Sequence, residues 1–272
     1  MESVLPRFPV TRDTLVGEIS TRKFALISPE EPATSVRRLM RELRSRVAVV
    51  VDRRNRLLGI ITRGDILTIS SRKSNARAKD LMREPTVVLS YNDKVVDAVK
   101  AMLRADEWYA PVVKNDIVDS LFGLEHAIQR MLDEGEDELE KIPVADIMTR
   151  EVETVSPDDH VMSVWEKMRE LRYAGLPVVD EKGRLIGIVT QHDLLAKGVV
   201  IARETTGGPS RGAKIRDLMT SAVEYVTVSD SAAAPAKLMV YRGYGRIPVV
   251  ESRKTRKLVG IVDREDIVRL LL

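Results

Sequence analysis

The chain has no cysteine in its 272 residues. Disulfides, thiol nucleophiles and Cys-ligated zinc are therefore excluded together. Aromatic residues make up only 4%, which argues against recognition by base stacking. Glutamine occurs only at Gln129 and Gln191 and asparagine only at Asn55, Asn75, Asn92 and Asn115, against 44 Lys+Arg and 41 Asp+Glu. Few thermolabile amides beside many charges is the bias of heat-adapted proteins. Three histidines, His126, His160 and His192, are scattered, so no metal centre is expected. No apolar run approaches the roughly 18 residues of a membrane span; Val47–Val51 is typical of the longest. Met1 to Val10 holds prolines and no long apolar core, so no secretory signal is expected and the reading is cytoplasmic.

What is present is a globular composition, 44% apolar and 31% charged, long enough for two ordinary domains. The net charge of +3 hides an uneven distribution. Residues 1–79 carry net +9, 80–145 carry −8, 146–213 carry −2 and 214–272 carry +4. The ends are basic and the middle is acidic.

A four-fold repeat orders the rest. Gly17-Glu18-Ile19-Ser20, Lys79-Asp80-Leu81-Met82, Ala145-Asp146-Ile147-Met148 and Arg216-Asp217-Leu218-Met219 open the units. Each is followed by a β-type run ending at Ser28, Ser90, Ser156 or Ser229, then by an amphipathic stretch holding Met40, Met102, Met168 or Met239. Nine residues past each methionine an apolar strand begins, at Val49, Pro111, Pro177 and Pro248. The methionines fall on the apolar helix face and are read as core filler.

Within a unit, the serine predicts an N-cap opening a helix. In unit three, Val161, Val164, Trp165, Met168 and Leu171 give that helix one buried face. Short apolar runs such as Ile186-Gly187-Ile188-Val189 predict buried strands. Asp193 falls in the first turn of the closing helix, where a carboxylate suits the positive end. The fold class is mixed α/β, four β-α-β-β-α units. Their expected bounds are 16–71, 78–132, 144–198 and 214–272, with an N-terminal extension 1–15, a linker 133–143 and a flexible loop 199–213.

These residues resemble the cystathionine β-synthase-type (CBS) domain, whose pattern is an Asp-hydrophobic-Met opening, a hydrophobic-Pro-Val strand and a closing Gly-x-x-Thr-x-x-Asp. Gly187, Thr190 and Asp193 match the closing element, as do Gly59, Thr62 and Asp65. The resemblance covers nearly everything from Val16 to Leu272. It implies that repeats one and two form one two-repeat module and three and four another. The two modules would assemble as a disc, as in the γ subunit of AMP-activated protein kinase, or through a homodimer. It implies an adenosine ligand (AMP, ADP, ATP or S-adenosylmethionine) and no catalytic cofactor.

On the family's pattern the ribose carboxylate and threonine come from one repeat and the adenine pocket from its neighbour. That assigns Thr190, Asp193 and His192 with Val226, Thr227, Ile247 and Pro248, and Thr62 and Asp65 with Thr86, Val87, Ala110 and Pro111. Asp266, Thr154 and Leu176 complete the expected ligand-binding set. A Thr-x-x-Asp at a helix start is equally ordinary capping chemistry, and both readings stand. Repeat two departs from the pattern: a gapped match puts His126 at the carboxylate position and an ungapped one puts Ala127. Repeat four has Asp263 in place of threonine and Glu265 beside it, repulsive to phosphate unless Arg264 or a metal compensates. Uneven occupancy is expected.

The leading functional reading is a nucleotide-responsive regulatory protein acting on a separate protein partner. The alternative is an RNA- or ribosome-associated factor using basic side chains at Arg37, Arg38, Arg41, Arg44, Arg53, Arg54 and Arg56 and at Arg253, Lys254, Arg256 and Lys257. A solvated, salt-bridged surface accounts for the same charges. An enzyme is not expected: no nucleophile–base pair is legible, and Gly243-Tyr244-Gly245 is no phosphate-binding loop.

Overall fold

The computed structural model describes residues 13–67, 75–196 and 213–272. The extension up to residue 12 and nearly all of the 199–213 loop lie outside the described residues. The first repeat runs α1 (Val16–Ile19), β1 (Ala25–Ile27), α2 (Ala33–Glu42), β2 (Val47–Val51), β3 (Leu57–Thr62) and α3 (Arg63–Leu67). The second follows as α4 (Ala78–Leu81), β4 (Leu89–Ser90), α5 (Val95–Arg104), β5 (Tyr109–Lys114), β6 (Ile117–Gly123) and α6 (Leu124–Glu140). The third has α7 (Val144–Ile147), α8 (Val161–Glu170), β7 (Gly175–Val179), β8 (Leu185–Thr190) and α9 (Gln191–Ala196). The fourth has α10 (Ile215–Leu218), β9 (Val226–Thr227), α11 (Ala233–Tyr241), β10 (Arg246–Val250), β11 (Leu258–Asp263) and α12 (Arg264–Val268).

Each sheet is small and mixed. Its first strand is parallel to the second, and the second is antiparallel to the third. In repeat three the first strand shrinks to a parallel bridge between Val155 and Val178. The same one-residue register shift recurs in the hairpins, at Val50/Val51, Val112/Val113, Val178/Val179 and Val249/Val250.

The serines do not cap the long helices. These helices start four or five residues later, with Pro32, Lys94, His160 and Ala232 at the N-cap and no side-chain cap. Ser90 and Ser156 instead donate their N–H groups to Asp93 and Asp159 three residues on, forming turns. The helix-start N–H groups find their acceptors elsewhere. Ala33 donates to Ala76 O (2.9 Å), Val95 to Thr14 O (3.0 Å), Val161 to Ala213 O (3.2 Å) and Ala232 to Ile142 O (2.8 Å). In each case the acceptor lies just before the opening of the neighbouring repeat, so the orphan donors of a helix start are met from a distance.

The openings are thus exchanged between consecutive repeats. Val16 N–H bonds Asp93 O and Thr21 pairs with Leu121; Ala78 N–H bonds Glu31 O and Arg83 pairs with Ile60. Val144 N–H bonds Asp230 O and Thr149 pairs with Ile261; Ile215 N–H bonds Asp159 O and Thr220 pairs with Ile188. This accounts for the motif glycines. A Cβ on Gly59 would lie 2.9 Å from Arg83 O, on Gly187 2.8 Å from Met219 Sδ, and on Gly260 2.6 Å from Met148 Sδ. Repeat two has Ser120 where the others have glycine, and the opening it receives has Ser20 where the others have methionine. The two hydroxyls, of which that of Ser120 is buried, bond at 2.6 Å. One close fit replaces another.

The apolar packing follows a different pairing. Met40 and Met168 belong to one core with Val36, Ile61, Val164 and Val189; Met102 and Met239 belong to a second with Phe122, Ile128, Met131 and Ile267. All four methionines are fully buried. The cores correspond to two compact units: Lys23–Pro85 with Glu153–Val223, and Met1–Arg22 with Thr86–Val152 and Glu224–Leu272. The first unit contains the bodies of repeats one and three and the second those of two and four; below they are the odd and even units. Consecutive repeats exchange their openings, and alternate repeats share a core.

Candidate functional site

Each repeat ends in a tight strand-to-helix turn, and the carboxylate three residues on accepts the backbone N–H of the strand's last residue. Asp65 Oδ2 accepts from Thr62 N (2.7 Å) and Thr62 Oγ1 (2.8 Å). Asp193 Oδ2 does the same for Thr190 N (2.8 Å) and Oγ1 (2.6 Å), and Asp266 Oδ2 accepts from Asp263 N (2.8 Å). In repeat two the same role falls to His126, whose Nδ1 accepts from Gly123 N at 2.9 Å. The gapped match is therefore the right one, and Ala127 is a core residue. The capping reading of Thr-x-x-Asp holds in repeats one and three, and the corresponding positions of repeats two and four cap in the same way. It engages Oδ2 of Asp193; the Oδ1 atom accepts from Thr220 Oγ1 at 3.3 Å.

In the odd unit the closing turns of repeats one and three meet. A Cβ on Gly64 would stand 4.0 Å from Gln191 Nε2. Arg63 donates through Nε to Ser45 O (3.1 Å) and through Nη2 to Arg44 O (2.9 Å), which anchors it at the junction. Gln191 makes the matching contact to Tyr173 O at 3.4 Å. His192 is half-buried. Burial first, then Arg63, push its imidazole below the ordinary value; Arg46 and Arg44 add to this, and Asp193 opposes it. Three arginines of repeat one thus act on one histidine of repeat three.

The corresponding turns of the even unit meet in the opposite electrostatic state. Arg264 is only 2% exposed, and its Nη1 donates to Glu125 Oε2 (2.9 Å) and to the Tyr109 hydroxyl. Its guanidinium carbon lies 5.8 Å from the ring centres of both Trp108 and Tyr109. Burial opposes the charge, but Glu125 and Tyr109 more than offset it. Trp108 Nε1 donates to Glu265 Oε1 at 2.9 Å, and Arg246 lies over the same indole at 5.5 Å. Arg264 is thus bound to repeat two. Asp263 finds its nearest cation in Arg246, at 3.7 Å. Burial, then Asp263, push the Asp266 carboxyl up to about 7. Burial likewise raises Asp263 and lowers His126.

The expected adenine-side residues are ordered, and each set lies in a different compact unit from its carboxylate. Val226 and Thr227 on β9 and Ile247 and Pro248 on β10 are buried in the even unit, whereas Asp193 belongs to the odd one. Thr86 bonds Glu107 at 3.0 Å, Val87 packs on the even core, and Ala110 and Pro111 are buried on β5, whereas Asp65 is in the odd unit. Thr154 and the buried Leu176 lie in the odd unit and Asp266 in the even one.

The basic residues divide in the same way. Arg37 bonds Ile66 O (3.4 Å), Arg38 pairs with Glu42 (3.6 Å) and Arg56 with Asp52 (2.7 Å), while Arg41, Arg53 and Arg54 are exposed in the odd unit. Arg253, Lys254 and Lys257 are exposed in the even unit, and Arg256 stacks on Tyr225 at 5.1 Å. Sequence reasoning missed Arg46 and Arg63 in the odd unit, and Trp108, Tyr109, Glu125 and the partner of Arg264 in the even one. Arg264 did carry a signal, because a cation in the first turn of a helix is disfavoured by its dipole. Among the described residues no three His, Asp or Glu side chains are placed to hold a metal ion, and no helix is long and apolar enough to cross a membrane.

The protein MJ1404 of Methanocaldococcus jannaschii is 29% identical over 266 residues, covering 94% of this chain and 61% of that protein. The chain therefore spans less than two thirds of that relative's length. MJ1225 of the same organism is 27% identical over 266 residues, covering 88% of this chain and 92% of that protein. The crystal structure of MJ1225, a proposed archaeal homologue of g-AMPK, superposes with a TM-score of 0.83 and 23% identity over 95% of this chain and 100% of that one. A conserved protein of Pyrococcus horikoshii superposes with a TM-score of 0.66 and 22% identity, again over 95% and 100%. At those identities the two structures establish the fold. The CBS domain model itself matches four stretches, 16–72, 78–133, 144–199 and 215–272. Four turns capped alike, in four repeats that each match the model, have one explanation: the chain belongs to the CBS domain family.

Proposed function

We propose that this chain is a regulatory protein that binds an adenine nucleotide at the junction of repeats one and three and transmits its occupancy to a separate partner. The observation that carries this reading is the meeting of the turns that hold Asp65 and Asp193, with Gly64 beside Gln191 and Arg63 anchored there on Ser45 O and Arg44 O. The charges of Arg63, Arg46 and Arg44 are felt there by His192. Guanidinium groups recognise phosphate through paired N–H donors. A capped carboxylate has further lone pairs that can accept from a ribose hydroxyl, and at Asp193 that hydroxyl would share Oδ1 with Thr220. The junction of repeats two and four offers the reverse: its buried cation is neutralised by Glu125, and Asp263, Glu265 and Asp266 oppose a phosphate. AMP, ADP or ATP suits the odd junction, and the cationic sulfonium of S-adenosylmethionine suits it less. The ligand shifts the protein between states only by its differential affinity for them.

Calorimetric titration of AMP, ADP, ATP and S-adenosylmethionine into the full chain tests this. A phosphate-bearing ligand is expected to bind best, and Arg63→Ala to weaken it by about tenfold or more. Asp193→Asn, which retains a cap acceptor, is expected to lower affinity without loss of thermal stability. No binding of any nucleotide, or equal affinity in all three proteins, removes the reading.

A further inference from the structure

The low aromatic content argues against base stacking for the chain at large, but its few rings are not evenly spread, and where they gather that expectation is reversed. Three of its six tyrosines, Tyr225, Tyr241 and Tyr244, lie in repeat four. Tyr241 is 66% exposed and Tyr244 39%, and they are the exposed aromatic rings among the described residues. Between them Arg242 and Gly243 make a turn. Gly243 has φ +71° and open space where a Cβ would stand, a conformation glycine adopts without strain.

This turn is joined to the sheet's outer strand. The order β11-β10-β9 leaves β9 at the edge, and Glu224 and Tyr225 lead into it. Glu224 Oε2 lies 3.8 Å from Arg242 Nε, and burial first, then Glu224, raise the pKa of the Tyr244 hydroxyl. Arg256, from the turn after β10, covers the Tyr225 ring at 5.1 Å. The same turn carries Arg253, whose side chain is 78% exposed, and the exposed Lys254 and Lys257. The neighbouring carboxylates are engaged: Asp230 lies 3.7 Å from Arg253, and Glu251 accepts from Thr255 Oγ1. The surface is a run of flat rings interleaved with cations, on a segment of net charge +4.

We propose that this edge of repeat four binds a single-stranded polynucleotide. Unpaired bases stack on Tyr241 and Tyr244, and phosphates lie along Arg242, Arg253, Lys254 and Lys257. A duplex keeps its bases stacked on each other and offers these rings nothing. An acidic protein segment would meet the charges but would leave the two exposed rings without partners.

Fluorescence anisotropy on the full chain tests this with a labelled 20-nucleotide RNA of mixed sequence, the same sequence as DNA, and its duplex, at 50 and 200 mM salt. Both single strands are expected to bind more tightly than the duplex, and a preference between them names the source. The Tyr241→Ala/Tyr244→Ala variant should lose about tenfold or more in affinity with an unchanged salt slope. The Lys254→Glu/Lys257→Glu variant should flatten that slope. Three results would each overturn the proposal: no binding at 50 mM salt, equal binding of duplex and single strand, or a tyrosine variant that binds like the parent. The last would reduce the surface to a patch that attracts any polyanion, an acidic protein included.

Discussion

Asp266 accepts a backbone hydrogen bond at a helix start, where burial first, and then the carboxylate of Asp263, raise its pKa to about 7. A carboxyl whose folded pKa is raised contributes stability that is complete below its unfolded value near 3.8 and is lost as pH rises through about 7. Asp266→Asn keeps the acceptor and removes the charge. It should leave stability unchanged at pH 4 and raise it at pH 8 by on the order of 2 kcal/mol, seen as a higher Tm at pH 8 alone. Equal Tm differences at both pH values would show that the charge is not the cause. His126 works in the opposite sense. Its lowered pKa means that its stability is present above about 6.5 and lost as pH falls through the folded value. Arg264 is the costliest single side chain to remove. Arg264→Ala removes the buried guanidinium that bonds Glu125 and Tyr109 and should cost about 3–5 kcal/mol in denaturant unfolding. Arg264→Met with Glu125→Gln should cost clearly less than the two single changes together. Among these residues the closing-motif positions Asp266 and His126 were legible in advance, because capping is local; the partner of Arg264, which sits 139 positions away, was not.

The same distinction between local and distant partners governs the elements. The strand, helix, strand, strand, helix order was readable from apolar periodicity, since each of those elements buries one face whatever its neighbour. The four-residue opening helices α1, α4, α7 and α10 are too short to show a period. The helix caps were not readable either. The serines lie near the starts, but the acceptors for Ala33, Val95, Val161 and Ala232 are backbone carbonyls of an exchanged segment, and side-chain identity carries no trace of them. The glycine and methionine of the motif do carry a trace, through their contact. Gly187→Ser places a side chain against Met219, and about 1–3 kcal/mol should be lost. Adding Met219→Ser should recover part of that loss by recreating the Ser20–Ser120 pair. A double variant no more stable than Gly187→Ser alone would argue that the pair in repeat two depends on its own surroundings.

For the whole molecule, four copies were evident from register, and so was membership in a two-repeat architecture. The joining of alternate repeats was not, because identical apolar faces do not record which copy they meet. The two junctions nevertheless diverged in sequence. One gathered arginines around a histidine, and the other enclosed its arginine with a glutamate and two aromatic rings. If the first binds nucleotide, a ligand at a hundred times its Kd should stabilise the chain by about 2.7 kcal/mol. Thermal shift should register this in full for the parent and for Arg264→Met, and should fall to about 1.4 kcal/mol or less for Arg63→Ala, as a tenfold weaker Kd requires. A shift undiminished in Arg63→Ala would move the site elsewhere.

The exchanged openings have a consequence for how this chain can be divided. A single repeat cut free would bear a lid shaped for its neighbour and lack its own. A cut within 133–143 would respect every such lid, yet it would strip each copy of the apolar surface it rests on. The two halves would carry complementary bare faces and would have to meet by diffusion. One continuous chain turns that encounter into an intramolecular event, held at the high effective concentration of a short tether.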